Sequence, residues 1–113
     1  MKPIELKPYV AEASGLLKVM GNEHRLLVLC YLSEGEKSVG QLEAMIGLSQ
    51  SALSQHLAKL RRDKLVSTRR DRQTIYYSLA SHHATAIMQT LCEVFVRPHA
   101  TSFGGGPVSS MSA

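Results

Sequence analysis

The sequence predicts a mainly α domain carrying one β-hairpin, and three observations predict it. Apolar residues recur at three- and four-residue spacing through four segments between positions 9 and 62, and again between 81 and 98. From Val66 to Leu79 the period changes to two, with β-branched and aromatic residues. A lone glycine, Gly47, separates the third helical segment from the fourth. The expected order is helix, helix, helix, Gly turn, helix, strand, strand, helix.

The elements follow in turn. Residues 1–8 read as a flexible N-terminus. Val10, Ala13, Leu17 and Met20 share a helical face, so a first helix is expected over residues 9–20. Gly21 and Asn22 break it, and the Asn22 side chain suits the cap of a second helix. That helix holds Leu26, Leu27, Leu29, Cys30 and Leu32, apolar nearly all round, and ends at Ser33, Glu34 and Gly35. Ser38, with Gln41 three residues on, fits a capping box opening a third helix through Ile46. Gly47 supplies the tight turn, Leu48 packs beneath it, and Ser49 caps the fourth helix. Residues 66–70 and 73–79 read as strands joined at Asp71 and Arg72. Ser81 caps a last helix whose stripe is Ala84, Ile87, Met88, Leu91 and Phe95, and Pro98 stops it. The folded domain thus spans residues 9–98, and 99–113, rich in Gly, Ser and Thr, reads as a disordered tail. A hairpin directly after the fourth helix makes the fold a winged helix-turn-helix.

A chain of 113 residues is one domain with a modest core. Its formal charge of +4 is unevenly spread. Lys59, Arg61, Arg62, Lys64, Arg69, Arg70 and Arg72 fall within fourteen positions, against Asp63 and Asp71. Such a cluster is what phosphate requires. No secretory signal is seen, since Glu5 and Lys7 interrupt the N-terminus, and the longest apolar run, residues 26–32, is too short to span a bilayer. Two cysteines without a signal are expected in a reducing cytoplasm, with no membrane partner.

Residues 48–62 carry the chemistry. Leu53, Leu57 and Leu60 share one helical face, and Gln50, Ser51, Ser54, Gln55 and Lys59 are expected opposite, on a surface free of acids. Gln bonds adenine N6 and N7 together, Ser bonds either base type, and Lys or Arg holds phosphate. Ser49, Gln50, Ser51, Ser54, Gln55, His56, Lys59 and Arg62 are therefore the expected contacts of a helix lying in a major groove of duplex DNA. Arg69, Arg70 and Arg72 at the hairpin are the expected backbone or minor-groove contacts.

On these residues the chain resembles the ArsR/SmtB family of bacterial transcriptional repressors. The resemblance covers roughly residues 16–95. Its motifs are Asn22, Glu23, His24, Arg25 and Leu26 entering the second helix, the run from Leu48 through Leu57, and Thr74, Ile75, Tyr76 and Tyr77 in the second strand. It implies a homodimer joined through the first and last helices, a palindromic operator whose occupation blocks transcription, and a chemical signal that causes release. Within the family, Leu48 to Leu57 and Val66 to Asp71 look closest to the NolR subgroup and to the HlyU, BigR and SqrR subgroup.

The resemblance also bears on the signal. Thiolate metal sensors of the family need cysteines near the start of the third helix, where this chain has Ser38, Val39, Gly40, Gln41 and Leu42. Of the family's zinc positions on the last helix, matched by Ser81, His83, Val94 and Arg97, only His83 is a ligand type, and one imidazole is no tetrahedral site. No metal or cofactor is expected. Several HlyU, BigR and SqrR relatives sense persulfide or oxidants through two cysteines. Cys30 matches their second-helix cysteine, whereas their last-helix cysteine corresponds to Val96, four residues beyond Cys92. Two readings stay open at Cys30 and Cys92: a redox-sensing pair, or small core side chains in a redox-inert, NolR-like regulator with no small-molecule inducer. A thiol oxidoreductase is the alternative from another class, and an enzyme is not expected. The chain has no Cys-x-x-Cys, and Gly104, Gly105 and Gly106 lie in the tail rather than between a strand and a helix. A winged-helix protein-interaction module is a third class, and it gives no reason for arginines in the wing.

Overall fold

The computed structural model describes residues 1–98, so the tail expected over 99–113 lies outside the described residues. The elements are α1 (Pro3–Leu6), a 3-10 turn (Lys7–Tyr9), α2 (Val10–Met20), α3 (Glu23–Leu32), β1 (Lys37–Ser38), α4 (Val39–Ile46), α5 (Gln50–Arg62), β2 (Val66–Asp71), β3 (Thr74–Leu79), α6 (His82–Leu91) and a π-helical turn (Cys92–Val96). The winged helix-turn-helix is formed by α3, α4, α5 and the β2–β3 hairpin.

The helix starts follow the capping chemistry. Asn22 Oδ1 accepts the backbone N–H groups of His24 and Arg25 at 3.0 and 3.1 Å. Ser38 Oγ accepts from Gln41 N–H at 3.1 Å while Gln41 Oε1 accepts from Ser38 N–H at 2.8 Å, a complete capping box. Ser81 Oγ accepts from Ala84 N–H at 3.0 Å. Gly47 closes α4 at φ 82°, the left-handed region that favours glycine.

Two expectations are corrected. Within residues 1–8 Pro3 opens α1, and Lys2 N–H donates to Glu5 Oε1 at 3.2 Å, though no residue of α1 is buried. The hairpin turn lies one residue later, at Arg72 and Gln73, because Asp71 pairs with Thr74; Arg72 takes φ 62°. The sheet has a third strand, in the order β1-β3-β2, all antiparallel. Two residues, Lys37 and Ser38, pair with Tyr77 and Tyr76, too short a run to leave a periodic signal.

The core is built from Val28, Leu29 and Leu32 of α3, Leu42 of α4, Leu53, Leu57 and Leu60 of α5, Leu65, Val66 and Tyr77 of the wing base, and Ala84 and Met88 of α6. Each buried aliphatic side chain contributes roughly 1.5–3 kcal/mol. The α3 face is narrower than expected, since Leu27 and Cys30 are exposed. The α6 stripe also divides. Ala84 and Met88 join the core, Ile87 and Leu91 pack against it, and Phe95 stays 66% exposed.

Candidate nucleic-acid interface

α5 is fixed from beneath and at both ends. Leu53, Leu57 and Leu60 are fully buried. Ser49 Oγ accepts Ala52 N–H at 3.2 Å, so Ser49 works as the cap. At the far end Lys64 takes φ 65°, and Leu65 N–H donates to Leu60 O at 2.9 Å. This Schellman hook buries Leu65 and sends the chain straight into β2. The angle between α5 and the wing is therefore set by a packed turn.

Gln50, Ser51, Ser54, Gln55, Ala58, Arg61 and Arg62 are exposed along α5. They do not form one face. At about 100° per residue, Gln50 and Gln55 stand about 140° apart, with Gln55, Ser51 and Arg62 nearest the outward direction. Gln50 and Ser54 lie on one flank, at the N-terminal half. His56 lies half-buried on the other flank, where its ring meets that of His24 at 5.5 Å. Burial first, then the charges of Arg25 and His24, push the His56 imidazole below its ordinary value. Lys59 Nζ is paired to Asp63 Oδ2 at 3.3 Å.

The wing separates its arginines. Arg70 and Arg72 are exposed and, like Arg61 and Arg62, form no ion pair among the described residues. Arg69, expected beside them as a DNA contact, is engaged elsewhere. Its Nε and Nη2 donate to the two carboxylate oxygens of Glu36, each at 2.8 Å, and its guanidinium lies 4.4 Å above the Tyr76 ring. That fork holds the Glu36 carboxyl below, and the Arg69 guanidinium above, their usual ranges. Sequence reasoning missed Glu36 and His24, whose partners are more than thirty residues away, and passed over Arg61, which its basic cluster had already contained.

Cys30 and Cys92 line one groove of about 520 Å³ between α3 and the end of α6, with Leu26, Met88, Leu91 and Phe95. Val96 lines it too, so the four-residue offset between Cys92 and the family position keeps the thiol on the groove side. Burial, and secondarily the nearby Cys92, raise the Cys30 thiol above its ordinary value. Among the described residues no three His, Cys, Asp or Glu side chains gather as metal ligands, and no helix is long and apolar enough to cross a membrane.

Residues 22–68 match the family model described as bacterial regulatory protein, arsR family. The transcriptional activator HlyU of Vibrio cholerae is 50% identical over 91 residues, 80% of this chain and 84% of that protein. The chain belongs to the ArsR/SmtB family. This ArsR-family chain is also 53% identical over 83 residues to the nodulation protein NolR of Rhizobium meliloti, covering 74% of this chain and 68% of that one. The crystal structure of the transcriptional repressor BigR from Xylella fastidiosa superposes with a TM-score of 0.80 at 38% identity, over 84% of this chain and 97% of that one. The solved structure of reduced HlyU from Vibrio cholerae gives 0.78 at 48% identity, over 82% and 98%. The wing, the turn and α5 are thus those of an ArsR-family transcriptional regulator, which binds DNA.

Proposed function

We propose that the protein is a homodimeric repressor that occupies an imperfect palindrome of duplex DNA in the cytoplasm, and that linking Cys30 to Cys92 releases it. One observation carries the DNA reading: α5 contains no carboxylate and ends on Arg61 and Arg62, and the hairpin that follows carries Arg70 and Arg72, none of the four held in an ion pair among the described residues. Gln55, Ser51, Ser54 and Gln50 read base edges, and the arginines hold phosphate. Two apolar surfaces support a dimer. One comprises Leu6, Tyr9, Val10 and Leu17 at the first helices; the other comprises Val94, Phe95 and Val96 at the end of the last, all exposed. A two-fold dimer presents two copies of α5, so half-sites fall at multiples of about 34–36 Å.

The thiol half rests on the shared groove. A Cys thiolate attacks a polysulfide sulfur and displaces the shorter polysulfide. The second thiolate attacks the Sγ of the persulfidated cysteine, forming the Cys30–Cys92 disulfide and displacing hydrosulfide. Two thiols lose two protons and two electrons, and the polysulfide is reduced. The raised Cys30 thiol favours the opposing, redox-inert reading, because it lowers the fraction of attacking thiolate.

Selection from a randomised duplex library tests the DNA reading, followed by sedimentation of the complex. Two chains per duplex and a two-fold consensus are expected. One chain on an asymmetric site overturns the dimer, and no enrichment over random duplex overturns sequence-specific binding.

A further inference from the structure

We propose that Glu36 is a positioning residue for DNA binding: by clamping Arg69 across the sheet it sets the attitude of the wing tip relative to α5, without itself meeting DNA. The inference rests on the DNA-binding reading above.

The clamp follows from the register. Ser38 pairs with Tyr76 and Lys37 with Tyr77, which brings Glu36 alongside Ser78 on β3. Arg69 of β2 pairs with Tyr76 from the other side. Side chains two apart share a sheet face, so Glu36, Ser38, Arg69, Tyr76 and Ser78 face the same way. Glu36 and Arg69 therefore meet diagonally over the central strand. The fork closes at 2.8 Å on both oxygens, with the guanidinium seated on Tyr76. The Arg69 fork first, and Ser78 last, hold the Glu36 carboxyl below its usual range. A paired fork of this kind has defined geometry as well as charge.

What the clamp joins gives it consequence. Glu36 stands in the turn after α3, immediately before the two-residue β1. Beyond Val66 and Tyr77 the hairpin adds few buried side chains, and its strands run out to the exposed turn at Arg72 and Gln73. The two residue pairs of β1 with β3 are a short ladder on which to hold that projection. Arg69 lies three residues from Arg72, so the tip extends roughly 10 Å past the clamp at about 3.3 Å per residue. Neighbouring strand residues point to opposite faces, so fixing Arg69 on one face leaves Arg70 on the other and Arg72 at the tip. The charge cluster read from the sequence is thus divided: one arginine holds the wing, and its neighbours remain for phosphate.

The test uses the full chain and the duplex that the wild-type protein selects from a randomised library. Glu36→Gln, Arg69→Glu and the swap Glu36→Arg with Arg69→Glu are compared, each with and without Arg72→Ala, with thermal midpoints recorded alongside. Glu36→Gln is expected to weaken binding about threefold, and Arg69→Glu about tenfold or more, because an exposed fork is worth little alone but here acts on the tip. The swap is expected to recover wild-type affinity within about twofold, with an unchanged log–log salt slope, because the pair is restored and no phosphate contact has been removed. In the wild type Arg72→Ala is expected to flatten the slope by about one unit. In Glu36→Gln it is expected to change little, since the tip is already displaced. A general loss of stability does not produce that coupling. If the swap stays as weak as Arg69→Glu, Arg69 meets phosphate and the proposal is overturned. It is overturned equally if both single variants bind as the wild type does, or if Arg72→Ala costs as much in Glu36→Gln as in the wild type. Failure of the wild type to select any duplex is a different result, and removes the DNA-binding reading instead.

Discussion

His24, at the start of α3, and His56, midway along α5, face each other with ring centroids 5.5 Å apart and planes tilted by 38°. The contact ties the recognition helix to the helix behind it. His56, lowered chiefly by burial, also makes the protein's stability depend on pH in a definite direction.

His56 is held below its ordinary imidazole value by burial, then by Arg25 and His24. The unfolded chain, whose His56 is unperturbed, binds more protons between the two values. Stability is therefore full above the unfolded value and falls as pH drops through it toward the folded one. Thermal midpoints measured from about pH 8 down to about pH 5 should decline, and His56→Gln should flatten that decline. Equal pH slopes in the two proteins would show that His56 is not the cause.

Leu57 lies 1% exposed beneath α5. Leu57→Ala removes buried methyl groups and leaves a cavity, at a cost of about 2–5 kcal/mol. The neighbouring Ala58 is exposed, and Ala58→Ser should stay within about 0.5 kcal/mol of wild type. Urea unfolding measures both. A Leu57→Ala cost below about 1 kcal/mol would mean that the core relaxes to fill the site.

The helices were legible because their signals are local. Asn22, Ser38, Ser49 and Ser81 each cap from within three residues, and Leu53, Leu57 and Leu60 announce their face by spacing alone. What escaped is non-local. Glu36 and Arg69 are 33 positions apart, and their meeting depends on the register of a strand two residues long. The basic cluster was read as a unit, although strand alternation and Glu36 divide it. The α6 stripe was legible as apolar but not as to what it covers: spacing does not tell Met88, in the core, from Phe95, in the open.

Gln55 and Gln50 are expected to differ as base readers. Gln55 lies near the outward direction of α5, and Gln50 sits on a flank of its first turn. Gln55→Ala should cost about 1–3 kcal/mol on the selected duplex and little on random DNA. Gln50→Ala should cost less. Arg70→Ala should instead weaken binding to both duplexes and lower the salt slope by about one. A Gln55→Ala loss equal on the two duplexes would assign that side chain to the backbone.

Cys92 should be the first thiol to react. Cys30 and Cys92 line one groove, and partial burial, then the nearby Cys92, raise the Cys30 thiol above its ordinary value. A raised thiol is the slower attacker, so Cys30 is assigned the second, intramolecular attack, where proximity to the adduct on Cys92 offsets its smaller thiolate fraction. Treating the protein with inorganic polysulfide should give three patterns by intact mass. Wild type should show an internal link that dithiothreitol removes. Cys30→Ser should stop at a persulfide on Cys92, and Cys92→Ser should react slowly or not at all. Linked wild type should bind the selected duplex more weakly, since joining α3 to the end of α6 fixes two elements between the DNA-reading helix and the apolar surface assigned to the dimer. Fast labelling of Cys30 in Cys92→Ser would reverse the order. Wild type that forms no link and keeps its affinity would show that the two exposed cysteines are not the switch, and the regulator's signal would have to act elsewhere.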